Sequence, residues 1–180
     1  MYGIINKSIE ELVTEQFGES RWQAVKQRCN LPIDFFISTE VYDDAITYQL
    51  AGAIAAELNI SVDEVLFVFG EWWILKTVTE KYSGMLQSGG DNFMQFLINL
   101  PNFHQRVMMM YPQITPPEFA ISDVEEKSIC IHYHSKRKGL KVFVHGLLSG
   151  LAKSYKTDAV IEWIPGQQEA ETHETFKVSW

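Results

Sequence analysis

Apolar residues recur every three or four positions through the first 110 residues, and that period predicts helices. Ile4, Ile5, Ile9, Leu12 and Val13 form one such stripe, and Gly18 stands where a helix would stop. Ser20 to Gln23 reads S-x-x-Q, a capping box expected to open a second helix carrying Trp22, Val25 and Cys29. Leu31 to Thr39 contains Pro32 and reads as a connection. A third apolar face follows through Ile46, Leu50, Ala53, Ile54 and Leu58. Ser61 to Glu64 is S-x-x-E, a second capping box, and predicts a helix through Leu66, Phe69 and Trp73. Ser88-Gly89-Gly90 breaks the pattern, and Asn92 can cap a helix with Phe93, Phe96, Leu97 and Leu100 on one side. Pro101 is expected to interrupt that helix, and Phe103 to Met110 to resume it.

The period changes near Tyr111. The stretch YPQITPPEF holds three prolines and reads as a rigid hinge, because proline cannot donate to a helical ladder. Beyond it, Ser128 to His134 alternates like a strand. Leu140, Phe143, Val144, Leu147, Leu148 and Leu151 make an amphipathic helix, and Ala159 to Ile164 and Thr175 to Trp180 read as two closing strands. The fold class expected is α+β. A helical N-terminal subdomain, about residues 1–65, packs on a C-terminal subdomain, about 66–180, that carries an antiparallel sheet and helices. The 180 residues are taken as one domain, long enough to bury a core without disulfide or metal.

Composition narrows the function. A net charge of −8 argues against nucleic acid, whose phosphates need clustered Lys and Arg. Cys29 and Cys130 form neither a CxxC pair nor a disulfide framework, so a reducing, cytoplasmic setting is expected. The opening MYGIINKSIEEL has no basic region followed by an apolar core, and no apolar run nears the roughly 20 residues of a membrane span. Aromatic residues make up 13%, which suits a cavity around a flat ligand but equally a well-filled core.

Two features could carry chemistry. His104 lies on the helix Asn102 to Met110 among Phe103, Val107 and Met108, and a helical His in an apolar wall can present one nitrogen to haem iron. A His satisfied by a hydrogen bond in the core or at the surface fits the same pattern. The second feature is Tyr133, Ser135 and Arg137, a Y-x-S-x-R set whose alternate side chains share one face of an extended chain. Two hydroxyls and a guanidinium suit a ligand with two carboxylates, such as the haem propionates, because Arg can grip a carboxylate with paired hydrogen bonds. A solvated strand edge would look alike. His132, His134 and His145 read as surface or supporting residues; an H-x-H pair on one strand face can hold zinc but needs further ligands. Cys130 reads as a small core residue.

Together these features match a known pattern. The opening M-x-G-I-I, the F-G-E-x-W of Phe69 to Trp73, the L-P-N-x-H of Leu100 to His104, the pair Pro116-Pro117, and the Y-x-S-x-R followed by Gly139-Leu140 run along the whole chain. The chain resembles the H-NOX domain, the haem nitric oxide/oxygen binding domain of bacterial gas sensors and of soluble guanylate cyclase, and is similar to its stand-alone bacterial type. The resemblance implies haem b, iron protoporphyrin IX, buried between the two subdomains. It implies His104 as proximal ligand and Tyr133, Ser135 and Arg137 as the propionate triad. Pro117 would press on the macrocycle, and Ile5 and Leu147 would be apolar haem contacts.

The same resemblance sets expectations for selectivity and signal. Oxygen-binding members supply a Tyr where this chain has Phe143, which offers no donor, and Val142 and Val144 offer none. Trp73 matches a second distal position; its indole N–H could donate, or its ring could be a space-filling wall. NO and CO are therefore the expected ligands, with O₂ excluded. An O₂ sensor is the alternative, and a haem enzyme a more distant one, since no distal acid–base pair of His and Arg type is seen. No catalytic activity is expected. NO would loosen the bond to His104 and release the helix around it, with the subdomains shifting about the proline hinge. No kinase, cyclase or receptor segment follows Trp180, so the expected effector is a separate protein, a histidine kinase or a cyclic-di-GMP enzyme.

Overall fold

The computed structural model describes residues 1–31, 33–111, 113, 115, 117–165 and 173–180. They divide into two compact units, Met1–Phe69 and Gly70–Trp180.

The first unit is helical. α1 (Gly3–Phe17) ends at Gly18, whose φ of 87° lies in the left-handed region that glycine adopts without strain. The same glycine precedes α2 (Glu19–Cys29), so Ser20 falls inside the first turn rather than capping it. The S-x-x-Q box is thus unused, because one glycine turns the chain for both helices; Gln23 instead donates to Glu19. α3 (Asp44–Leu58) is capped by Asp43, which accepts from the Ala45 N–H. Val13, Trp22, Val25, Leu50 and Ile54 form the buried interior. Asn6 is fully buried there and accepts from the Thr47 hydroxyl at 2.7 Å. The Ser61–Glu64 box is realised in both directions: the Ser61 N–H donates to Glu64 Oε2 at 2.8 Å, and the Glu64 N–H donates to Ser61 Oγ at 3.1 Å. It opens α4 (Val62–Trp72), within which the two units divide.

The second unit begins at Gly70. Trp73 does not continue the α-helix but opens a π-helical turn, Trp73–Val78, followed by the short α5 (Thr79–Lys81) and α6 (Ser83–Gln87). α7 (Phe93–Met109) is capped by Asn92, whose side chain accepts from the Gln95 N–H at 3.0 Å. It runs straight through Pro101, where an interruption was expected. Pro101 has no N–H to give the Leu97 carbonyl, yet Leu97 and Leu100 are buried in the turn before it and anchor the helix there.

β1 (Glu118–Ser122), β2 (Ser128–His134), β3 (Val160–Ile164) and β4 (His173–Ser179) form an antiparallel sheet in the order β1-β2-β4-β3. β1 was not expected; the prolines before it masked its short alternation. Pro112, Ile114 and Pro116 of the expected hinge, and Pro32 of the earlier connection, lie outside the described residues. α8 (Lys141–Ser154) lays Val144, Leu148 and Leu151 into the core with Ile129, Ile131, Phe176 and Val178 from the sheet and Phe93, Phe96 and Leu97 from α7. Among the described residues, no helix is long and apolar enough to cross a membrane.

Candidate functional site

His104 sits three residues past Pro101, on the half of α7 that carries no fully buried residue. Its ring meets Phe119 of β1 edge-on, with centroids 4.9 Å apart. Phe119 pairs in register with Tyr133 of β2, and their rings lie 5.4 Å apart. Burial pushes the His104 imidazole down to about 4, so near neutral pH the ring is uncharged and keeps a lone pair. Among the described residues no hydrogen-bond partner engages it. The reading of His104 as a histidine satisfied by a hydrogen bond therefore finds no support there.

Tyr133 is 5% exposed and Ser135 is 7% exposed. Burial raises the Tyr133 phenol, while a hydrogen bond with Ser135 and the nearby Arg137 charge oppose that rise. β2 ends at His134, so Ser135 and Arg137 lie beyond it, in an irregular segment rather than on the strand as expected. The cause is local: the Arg137 N–H donates to Ser135 Oγ at 3.0 Å, a side-chain-to-backbone bond that bends the chain out of the ladder. Inward and outward positions still alternate through Tyr133, Ser135 and Arg137. Arg137 Nη1 donates to the Thr115 carbonyl at 3.0 Å. Two buried hydroxyls and a guanidinium thus come together at one end of β2. Pro117 is half-buried immediately before β1, two residues from Phe119.

A second group gathers on the π-helical turn and α8. Trp73 and Leu147 are half-buried and pack against the main core. Phe143 is half-buried on the same helix. Gly70 explains why α8 lies where it does. A Cβ there would stand 2.4 Å from the Phe143 carbonyl oxygen and 2.8 Å from the Leu147 nitrogen, so only glycine permits this approach. Glu71 then pins α8, accepting from Ser149 Oγ at 2.6 Å and pairing with Lys153 Nζ at 2.5 Å. The F-G-E-x-W motif was visible in the sequence, but its role as the anchor of α8 was not. Phe119, which links His104 to Tyr133, was also missed; its signal was the alternation of Glu118 to Ser122. Ile5 is half-buried on α1 in the first unit.

The arrangement can hold a planar, anionic, metal-bearing ligand. A neutral imidazole with no hydrogen-bond partner among the described residues could supply one ligand bond. Hydroxyls and a guanidinium within one turn of chain supply donors for carboxylates. Cys130 is buried, and burial with the nearby Asp123 pushes its thiol up, as for a small inert core residue. His145 is half-buried on α8, and burial pushes its ring down.

Comparison with known proteins adds to this geometry. A family model described as Haem-NO-binding matches residues 2–163. Soluble guanylate cyclase gcy-31 of Caenorhabditis elegans is 28% identical over 163 residues, covering 90% of this chain and 23% of that protein. Soluble guanylate cyclase 89Db of Drosophila melanogaster is 24% identical over 155 residues, 86% of this chain and again 23% of that protein. The chain therefore spans under a quarter of the length of these relatives. Among solved structures, an H-NOX protein from S. oneidensis in the Fe(II)NO ligation state superposes with a TM-score of 0.87 at 20% identity, covering 99% of this chain and 98% of that one. A mutant H-NOX protein from K. algicida, Fe(II) and unliganded, gives 0.86 at 23% identity, covering 99% and 96%. At these identities the structural likeness is one of fold.

Proposed function

The chain belongs to the haem-NO-binding family, and from that premise we propose that it holds one haem b through His104 and senses nitric oxide rather than catalysing a reaction. The observation that carries this reading is the His104 ring: half-buried, neutral, and without a hydrogen-bond partner among the described residues. Tyr133, Ser135 and Arg137 fit the other end of the same ligand, offering donors to two propionates. Pro117 would press on the macrocycle from beside β1, Leu147 would contact it from α8, and Ile5 would do so from α1. Bound haem supplies an iron atom at which a diatomic gas can coordinate.

Selectivity rests on α8 and the π-helical turn. Phe143 has no hydrogen-bond donor, so a ligand that draws partial negative charge gains nothing from it. A donor to such a ligand is worth about 1.5–3 kcal/mol, or roughly ten- to a hundred-fold in affinity. NO and CO need it less than O₂ does, so the proposed ligands are NO and CO with O₂ excluded. Trp73 acts in this reading as a wall rather than as a donor.

The signal follows from where His104 sits. If the imidazole were released, the second half of α7 would lose that tether, and no fully buried side chain there would hold it in place. The helix can then move as a two-state element. In this proposal a separate cytoplasmic effector, of histidine-kinase or cyclic-di-GMP-enzyme type, reads that movement.

Absorption spectra test the reading. Purified chain loaded with haem is expected to show a Soret band that His104→Gly loses and that added imidazole restores. Absence of the band after reconstitution overturns haem binding. A stable oxygen-bound spectrum in air overturns the exclusion of O₂, and Phe143→Tyr is expected to raise O₂ affinity about ten- to a hundred-fold.

A further inference from the structure

The outward face of the sheet carries three histidines that haem binding does not use. His132 and His134 alternate with Tyr133 on β2, and His173 opens β4 directly across from His134. Among the described residues, no three His, Cys, Asp or Glu side chains are placed to share one metal ion. Two imidazole nitrogens are closer to that condition. His132 Nδ1 and His173 Nε2 stand 3.2 Å apart.

The surrounding bonds fix which nitrogen of His132 is unprotonated. The Ser122 hydroxyl donates its proton to Asp123 Oδ2 at 2.8 Å. A carboxylate only accepts, so Ser122 Oγ must in turn accept from His132 Nε2, 2.8 Å away. The Asp123–Ser122–His132 relay thus places the ring proton on Nε2 and leaves Nδ1 as a lone pair facing His173. Metal-binding histidines are oriented in this way, with the far N–H given to an oxygen acceptor. Thr175 Oγ1 borders the same point, 3.2 Å from His132 Nδ1 and 3.4 Å from His173 Nε2. His134 stacks its ring on His173, with centroids 4.1 Å apart and planes 13° from parallel. Stacked rings keep their lone pairs in separate, nearly parallel planes that do not converge on one ion, so His134 supports His173 rather than joining it.

We propose that His132 Nδ1 and His173 Nε2 form a surface zinc site on the outer face of β2 and β4, completed by water. Two nitrogens at this spacing, each about 2.0–2.1 Å from one ion, subtend about 100° at it, close to the tetrahedral angle zinc takes. A square-planar ion would want them nearer, at about 2.8 Å. The ion replaces the hydrogen bond between the two rings, the His173 proton passing through solvent from Nε2 to Nδ1, and clamps β2 to the first residue of β4. Two protein ligands with water make this an exchangeable site rather than a closed structural one.

Zinc chloride titrated into the full haem-loaded chain, with any affinity tag removed, tests the proposal by calorimetry. One ion per chain at micromolar affinity is expected, weakened at least ten-fold in His132→Gln and in His173→Gln but by less than three-fold in His134→Gln. Circular dichroism confirms that each variant keeps its fold. In the unaltered chain, the ring nitrogen resonances of His132 and His173 are expected to shift first as zinc is added. No binding at 100-fold zinc excess overturns the site. So does retained binding in His132→Gln, an equal loss in His134→Gln, or a first shift at other rings.

Discussion

α8 and the second half of α7 present opposite solutions to holding a helix. α8 is locked by backbone: Gly70 lets the Phe143 and Leu147 main chain come into contact, and Glu71 ties Ser149 and Lys153 from the same motif. Six of its residues are buried. α7 is equally secure as far as Leu100, with Phe93, Phe96 and Leu97 buried. Beyond Pro101 the support thins to half-buried contacts of Phe103, His104, Val107 and Met108. One helix is held along its whole length, and half of another is held by fewer buried groups. The proposed switch needs both, because a displaced ligand residue would carry information only relative to something fixed.

The contrast can be broken most severely at Gly70. Gly70→Ala pushes a methyl against the α8 backbone and is expected to cost at least about 3 kcal/mol in urea unfolding. A loss below about 1 kcal/mol would show that α8 is free to yield. The two halves of α7 give the next test. Leu97→Ala empties a fully buried position and should cost about 3 kcal/mol, whereas Val107→Ala should cost about 1. Equal costs would erase the distinction drawn at Pro101.

The pH dependence of the haem-free chain comes third. His104 is held at about 4 when folded and titrates near 6.5 when unfolded, so between those values the unfolded state binds more protons. Stability is therefore full above about pH 6.5 and falls as pH drops towards 4. The loss is about 2 kcal/mol after allowing for the ring's partial exposure. His104→Leu is expected to remove that slope. The smallest effect is Tyr82→Phe. It breaks the 2.9 Å bond between the Tyr82 and Tyr111 hydroxyls, just past the end of α7, and should cost about 1 kcal/mol.

Much of this was legible before the structure. Helical periods located α1, α3, α4, α7 and α8, and the Ser61 and Asn92 caps are used as their chemistry suggests. What failed did so where tertiary packing overrode a local rule. Ser20 lost its cap to a glycine shared by two helices, and Pro101 was tolerated because buried leucines anchor the turn before it. At the candidate site, His104 and the Tyr133–Ser135–Arg137 set stood out as residue types in a pattern. The sequence could not show that burial keeps His104 neutral, since that depends on Phe119 arriving from a strand too short to stand out. Nor could it show His173 beside His132, because they meet only through strand pairing across 41 residues.

The proline inside α7 also bears on time. With no proton on the Pro101 nitrogen, the ladder has a missing rung at Leu97, and the turns on either side need not melt together. The segment from Pro101 to Met109 can open and reclose as its own cooperative unit, its amides exchanging with solvent while those before Leu100 stay protected. The time needed to reset is then that of one short helix finding its place again, microseconds to milliseconds in order of magnitude, rather than that of refolding a domain.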